Sequence, residues 1–344
     1  MPIRRKNKPG LDDLPGLFDT IDINLDGASD PYSEIIATHR TGQKTPERNM
    51  AREYAIDPAS LVPHRELQYM SFGSGSSGNC AYVGIKNEGG IIIDAGVDAE
   101  NVLKELKRNS IPADKIAGII LTHDHTDHVR YAYKLLRAVP SMRLYCTPRI
   151  INGILRRHSI SGRIKDRHTP IFKEFEFSAG PLVITPFEVS HDGSDNVGFH
   201  IRAAEKTFVV VTDTGYITER ADHYIRKANY LMIEANYDRA MLDTGPYPYY
   251  LRARIASATG HMDNKDTAAY LAEIYTEALT DVYLCHLSHD NNTPATAFDT
   301  IAAALAARGI TVADASGSVE SRAASLRLYT LPRHDPSPLF VHRL

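Results

Sequence analysis

A chain of 344 residues with 43% apolar side chains can bury one large core or two modest ones, and no stretch approaches the ~20 consecutive apolar residues of a membrane span. The formal charge of -3 gives no global attraction to nucleic acid, so a polyanionic substrate needs a local basic surface or bound cations. Cys80, Cys146 and Cys285 are odd in number and far apart, which argues against a disulfide framework and a thiolate zinc knuckle, and leaves nitrogen and oxygen for any metal.

Residues 1–65 are rich in Pro, Gly, Asp and basic residues and read as a flexible N-terminal extension. The opening "MPIRRKNKPGLDDLPG" has no apolar run to make it a secretory signal, so a cytoplasmic location is the default expectation. From Leu67 the pattern changes to short strand-like runs separated by turns: "LQYMSF", "AYVGI", "GIIIDAG", "IAGIILT", "RLYC", "PLVITPFEV", "VGFHI", "TFVVVTDTG", "YLMIEA" and "DVYLCHLS". Amphipathic helices lie between them. Val102, Leu103 and Leu106 make one apolar face, a second helix starts near Asp127, and others are predicted over 264–278 and 294–307. Strands alternate with helices, then follow one another in hairpins, then alternate again. This predicts an α/β fold of two mixed sheets with helices on their outer faces, spanning 66–315 and followed by a C-terminal tail over 316–344.

The helix after Asp127 carries Val129, Ala132, Leu136 and Val139 on one face, and Arg130, Lys134 and Arg137 as a basic stripe. The stripe alone reads as a solvated face. The next segment adds Arg149, Arg156, Arg157, Arg163, Lys165 and Arg167 against a single acid, Asp166, so the region is expected to receive phosphates.

Between strand and helix stands "ILTHDHTDHV", with His123, Asp124, His125, Asp127 and His128 inside six residues. Two His at i and i+2 in an extended turn can face one centre, while Asp127 and His128 at the head of a helix can turn to a second. Further ligands are expected where later apolar runs end, at His191, Asp213 and His286. A coherent division puts His123, His125 and His191 on one metal, Asp127, His128 and His286 on the other, and Asp213 between them. Such nitrogen and oxygen sites suit two divalent ions, Zn2+ or alternatively Mn2+. Two ions about 3.5 to 4 Å apart can share a water, lower its pKa toward ~7 and clamp the attacking and leaving oxygens of a phosphodiester.

The order of these motifs is similar to that of the metallo-β-lactamase fold, a four-layer αββα sandwich, and the seven ligands resemble its dinuclear phosphodiesterase branch. "FGSGSSGNCAYVG", "IIIDAG", "LTHDHTDH", "TDTGY", "EANYD", "GPYPYYLRARIASATGHMDN" and "CHLSHDNNTP" resemble more closely the YycJ/WalJ group of bacterial exonucleases, over about residues 67–315. The resemblance implies degradation of single- and double-stranded DNA from 5′ ends, with a metal-bridging hydroxide attacking phosphorus. It makes Asp94 an acid that orients ligand histidines without binding metal. It also makes His261, near Glu234, the acid-base partner of the leaving group; the alternative is that His261, not His286, is the seventh ligand.

Departures narrow the reading. Asp213 stands where many class B β-lactamases have Cys, which disfavours lactam hydrolysis, and about 26 residues between Glu234 and His261 leave no room for the extra domain of the ribonuclease J type. Nor is there a Gly/Pro-rich arm like that of ribonuclease Z. Asp124 replaces a Glu common in relatives and is expected to point outward. Gly73–Asn79 reads either as a phosphate cradle or as a plain hairpin loop, and Asn291 and Asn292 either as contacts to a substrate phosphate or, preferred, as caps of the helix near Pro294. His39, His64, His158, His168, His223, His289, His334 and His342 read as ordinary surface or partly buried residues, and His200 as structural. Two competing functions remain: hydrolysis of a small phosphodiester or cyclic nucleotide, and a non-catalytic adaptor that keeps the fold.

Overall fold

The computed structural model describes residues 65–314 and 324–344. All but the last residue of the expected extension, with His39 and His64, lies outside the described residues. Elements run in order β1 (Glu66–Gly73), β2 (Cys80–Ile85), β3 (Gly89–Ile93), α1 (Ala99–Arg108), β4 (Ile116–Ile120), α2 (Thr126–Val129), α3 (Ala132–Ala138), β5 (Arg143–Cys146), α4 (Pro148–Arg157) and β6 (His168–Pro170). The second half holds β7 (Phe177–Ala179), β8 (Leu182–Glu188), β9 (Val197–Ala203), β10 (Lys206–Val211), α5 (Glu219–Ile225), β11 (Tyr230–Glu234), α6 (Arg239–Thr244), α7 (Tyr249–Ile255), α8 (Asn264–Ile274), β12 (Asp281–Cys285), α9 (Pro294–Ala306), β13 (Val312–Asp314), β14 (Leu326–Thr330) and β15 (Phe340–Arg343).

The strands form two mixed sheets. One runs β15-β1-β2-β3-β4-β5-β6 and the other β13-β14-β12-β11-β10-β9-β8-β7. Within each, a hairpin portion is antiparallel and the portion from β3 to β6, or from β10 to β14, is parallel. The parallel strands β3, β11 and β12 are buried along their whole length, which is why they read as unbroken apolar runs instead of alternating ones. Between the sheets, the Tyr69 ring of β1 packs on Phe208 of β10 at 4.7 Å and on Tyr283 of β12 at 4.5 Å. On the outer faces, Val102, Leu106, Leu136 and Ile154 belong to one core, while Ile225, Leu271 and Ile301 belong to the other. This is the α/β sandwich expected. No helix among the described residues is long and apolar enough to cross a membrane.

Three expectations need correction. The segment 316–344 is no mere tail: β14 lies between β12 and β13, and β15 pairs antiparallel with β1, so its described part completes both sheets. His342 on β15 is buried, accepts or donates a 2.7 Å hydrogen bond with Tyr283 Oη and stacks 4.2 Å from Tyr230. The helix expected from Asp127 is broken in two, because Tyr131 leaves helical geometry and its N–H donates to Ala95 O at 2.8 Å. The helix expected to reach 278 stops at Ile274, where Tyr275 turns extended.

Candidate metal centre

Open α/β sheets gather their functional groups outside the carboxyl ends of parallel strands. Here Asp94 follows β3, His123 to His128 follow β4, Asp213 follows β10, Glu234 ends β11 and His286 follows β12. Asp94, Asp213 and His286 take left-handed backbone angles, with φ of 56°, 53° and 54°. Non-glycine residues pay for that conformation, and here it marks the strand ends from which Asp213 and His286 reach the cleft while Asp94 meets His128 from behind.

The seven expected donors come together there. Asp213 stands in the middle: its Oδ2 is 3.8 Å from His123 Nε2, 3.6 Å from His191 Nε2 and 3.6 Å from His286 Nε2, and its Oδ1 is 3.5 Å from His128 Nε2. On one side, His125 Nδ1 is 3.3 Å from His191 Nε2, and His123 completes the trio. On the other, Asp127 Oδ2 is 3.5 Å from His128 Nε2 and 3.4 Å from His286 Nε2.

Hydrogen bonds at the far nitrogens decide which ring atoms point inward. His128 Nδ1 donates to Asp94 Oδ2 at 2.8 Å, and Asp94 also accepts from the N–H and hydroxyl of Thr122. His191 Nδ1 donates to Gly260 O at 3.0 Å and His286 Nδ1 faces Glu234 Oε1 at 3.1 Å, while His125 Nε2 is only within ion-pair distance of Asp192 Oδ1, at 3.3 Å. Each inward nitrogen can thus present a lone pair to a cation that displaces its proton. His123 Nε2 is the sharpest sign of what belongs there, since it is buried and has no hydrogen-bond partner. Buried polar atoms are rarely orphaned, and a cation between the rings would satisfy this one. The nitrogen and oxygen donors therefore fit divalent metal: His123, His125 and His191 on one side, Asp127, His128 and His286 on the other, Asp213 shared.

The electrostatics agree. Burial would hold His128 below its usual value, yet Asp213, Asp127 and Asp94 outweigh it and raise it well above. His286, likewise buried, is pushed up to about 10, chiefly by Asp213. Burial opposes ionisation of Asp127 and Asp213, but His128 and His286 hold both carboxyls below the ordinary range. His123 and His191 go the other way, lowered mainly by burial.

Glu234, fully buried, joins the rings of two histidines. Its Oε1 is 2.7 Å from His261 Nδ1 as well as 3.1 Å from His286 Nδ1, and its Oε2 accepts from Thr214 N at 2.8 Å. His286 Nε2 points at Asp127 and Asp213, and both His286 and His261 line the open cleft, where His261 also comes within ligand range of His191 and Asp213. That cleft of about 320 Å³ also takes in Ser76, Asp127, Arg157, His158 and Arg254.

Several neighbours were not legible beforehand. Asn79 Nδ2 lies 3.2 Å from Asp127 Oδ2 and 3.0 Å from His128 Nε2, Asp192 contacts His125, and Arg254 Nη2 holds Asp192 at 2.7 Å. His158, read as ordinary, meets Asp124 O at 2.6 Å on the cleft wall. Only Asp192, directly after His191, carried a local signal. Asp124 is a correction: it is fully buried, accepting from Ser194 N and Ser194 Oγ at 2.7 Å each, with Arg157 3.6 Å away. Asn292 is another, because Thr293 caps α9 while Asn292 bonds Asn264 and the carbonyls of Ala235 and Asn236. In the Gly73–Asn79 loop, Ser74 Oγ accepts from His286 N at 2.9 Å and Ser76 reaches the cleft. Of the basic strip, Arg157 lines the cleft, Arg130 and Arg137 line a neighbouring hollow with Tyr131 and Tyr133, and Lys134 is spent on Asp98 and Glu100.

Comparison with known proteins follows from this geometry. The family model described as "Beta-lactamase superfamily domain" matches residues 90–286, more than half of the chain. The chain belongs to the beta-lactamase superfamily, in the YycJ/WalJ group. It is 30% identical over 255 residues to the exodeoxyribonuclease YycJ of Bacillus anthracis, covering 72% of this chain and 93% of that protein. It is also 30% identical over 227 residues to the exodeoxyribonuclease WalJ of Streptococcus pneumoniae, covering 66% and 83%. The metallo-β-lactamase fold protein YhfI of Bacillus subtilis superposes with a TM-score of 0.57 at 16% identity, over 80% of this chain and all of that one, which shows the shared fold. The protein is accordingly a hydrolase of the superfamily.

Proposed function

We propose that this protein is a dinuclear metal-dependent phosphodiesterase that degrades DNA from its 5′ end, with single or double strands as substrate. The observation that carries it is Asp213, whose two oxygens stand within 3.8 Å of four imidazole nitrogens belonging to two separate trios of donors. Two divalent cations held there, Zn2+ or alternatively Mn2+, would supply a nucleophilic water at neutral pH and positive charge against the phosphate.

The chain's own groups do the rest. Asp94, Glu234, Asp192 and the Gly260 carbonyl hold the ligand rings in place from behind. Glu234 fixes His261 through Nδ1, so Nε2 is the nitrogen left to protonate the departing 3′ oxygen in the cleft. Arg157 and Ser76 line the same cleft and can receive the non-reacting phosphate oxygens. DNA as substrate is supported by the relatives named exodeoxyribonucleases and by the basic groups Arg130 and Arg137 beyond the cleft, and the cytoplasm would be the site of action.

A cleft of about 320 Å³ has room for a single nucleotide, which favours as second reading a small linear or cyclic phosphodiester. The test is digestion of 5′- and 3′-labelled DNA by freshly purified protein whose metal content is measured in the same preparation. Labelled mononucleotide should leave the 5′ end first, at a metal content near two per chain. Intact DNA beside rapid turnover of a short or cyclic diester would transfer the assignment to the second reading.

A further inference from the structure

Helices α6 and α7 are held by a small core of their own: Tyr237, Leu242 and Ile255 are buried together, with Tyr247 and Leu251 against them. Two neighbours on α7 are left out of it. Tyr249 and Tyr250 are 79% and 75% exposed, more than any other large hydrophobic side chain among the described residues. A single exposed aromatic needs no explanation, but two in succession on a helix whose other large apolar side chains, Leu251 and Ile255, pack inward leave ring faces in water that a ligand would cover.

Their position indicates which ligand. Tyr250 and Arg254 are four apart on one helix and therefore share a face, about 6 Å from one another. Arg254 lines the metal cleft together with Asp127 and His261, and it is fastened there: Nε and Nη2 hold Asp192 Oδ2 at 2.8 and 2.7 Å, and Asp192 Oδ1 is 3.3 Å from His125. The stripe that bears Tyr250 thus runs directly into the phosphate-handling end of the cleft. An apolar ring face one helical turn from such a site matches the spacing of a base from its phosphate. Every nucleobase offers a π-face, so stacking serves a strand of any sequence.

We propose that Tyr249 and Tyr250 form a stacking platform for unpaired bases of the strand whose end lies in the cleft, which gives the protein a preference for single-stranded ends. This rests on the reading of DNA as substrate. A paired duplex keeps its base faces against one another and offers the tyrosines only its backbone, so the platform distinguishes the two forms.

Binding tests this apart from cleavage. In an Asp127→Ala background, which prevents digestion, the affinity of a short fluorescein-labelled oligodeoxythymidylate is measured by anisotropy, beside an abasic strand of equal length and charge. Adding Tyr249→Ala and Tyr250→Ala should weaken the base-bearing strand about tenfold and leave the abasic strand unchanged, and Tyr250→Trp should restore the loss. Equal weakening of both strands, or no weakening of either, overturns the platform. Hydrolysis of bis(p-nitrophenyl) phosphate by the protein with Asp127 intact is scored separately: its absence would bring down the phosphodiesterase reading and leave the binding result to stand on its own.

Discussion

Asp94 Oδ2 accepts a 2.8 Å hydrogen bond from His128 Nδ1, and both side chains are sealed from solvent. The bond fixes the tautomer of His128 and so turns Nε2 toward Asp127 and Asp213. Asp94→Asn, which keeps the shape but not the charge, should lower metal affinity by about 10- to 100-fold while the circular dichroism spectrum stays unchanged. Full metal loading of that variant at wild-type concentrations would show that the contact is not tuning the ligand.

His261 and His286 share Glu234 but should behave differently on truncation. His286→Ala removes a ring nitrogen 3.4 Å from Asp127 and 3.6 Å from Asp213, and metal analysis should find close to one ion lost per chain. His261→Ala should retain its metal and lose about 10²- to 10⁴-fold in kcat, the usual contribution of a general acid. The opposite pattern of metal loss would exchange the two roles.

The pH dependence of metal binding has a definite sign. In the metal-free protein His286 is pushed up to about 10 and His128 lies well above its usual value, so both carry protons at neutral pH that a metal must displace. Asp127 and Asp213 are held low and stay ionised, contributing no proton. Apparent affinity should therefore rise steadily from pH 6 to pH 8, as read by chelator competition. A flat profile would mean that the histidines bind metal without releasing protons.

Gly153 on α4 lies against the buried Asp124, where an added Cβ would collide with the Asp124 carboxylate and the Ser194 hydroxyl. Gly153→Ala should cost about 1–3 kcal/mol, seen as a fall in melting temperature of roughly 2–12 °C. Because Asp124 sits between His123 and His125, the same change should also lower metal content. An unaltered melting curve would show that α4 yields more easily than its packing implies.

Much of this centre could be read before the fold was known, and the reason is local. His123, His125, Asp127 and His128 fall in one turn, and His191, Asp213 and His286 each close an apolar run, so strand ends alone predict their convergence. What escaped depends on distant partners. Asp124 looks solvent-facing until the loop bearing Ser194 is folded over it, 70 residues away in sequence. Asn79 reaches Asp127 across 48 residues, and the break after α2 exists only because Ala95 offers a carbonyl to Tyr131. β14 and β15 have strand-like sequences, "LRLYT" and "FVHR", but nothing in them names β12 and β1 as neighbours.

That late pairing has a bearing on how the protein comes into being on the ribosome. The outer edge of β1 stays open until Arg343 has been made, and β12, which delivers His286, lacks one neighbour until Thr330 has emerged. A nascent chain therefore carries the open β1 edge through most of the synthesis of these sheets and the β12 edge over the shorter stretch from Cys285 to Leu326, a state prone to sticking to other chains. The strand that carries His286 to the metal centre thus gains its second neighbour from chain more than forty residues further along.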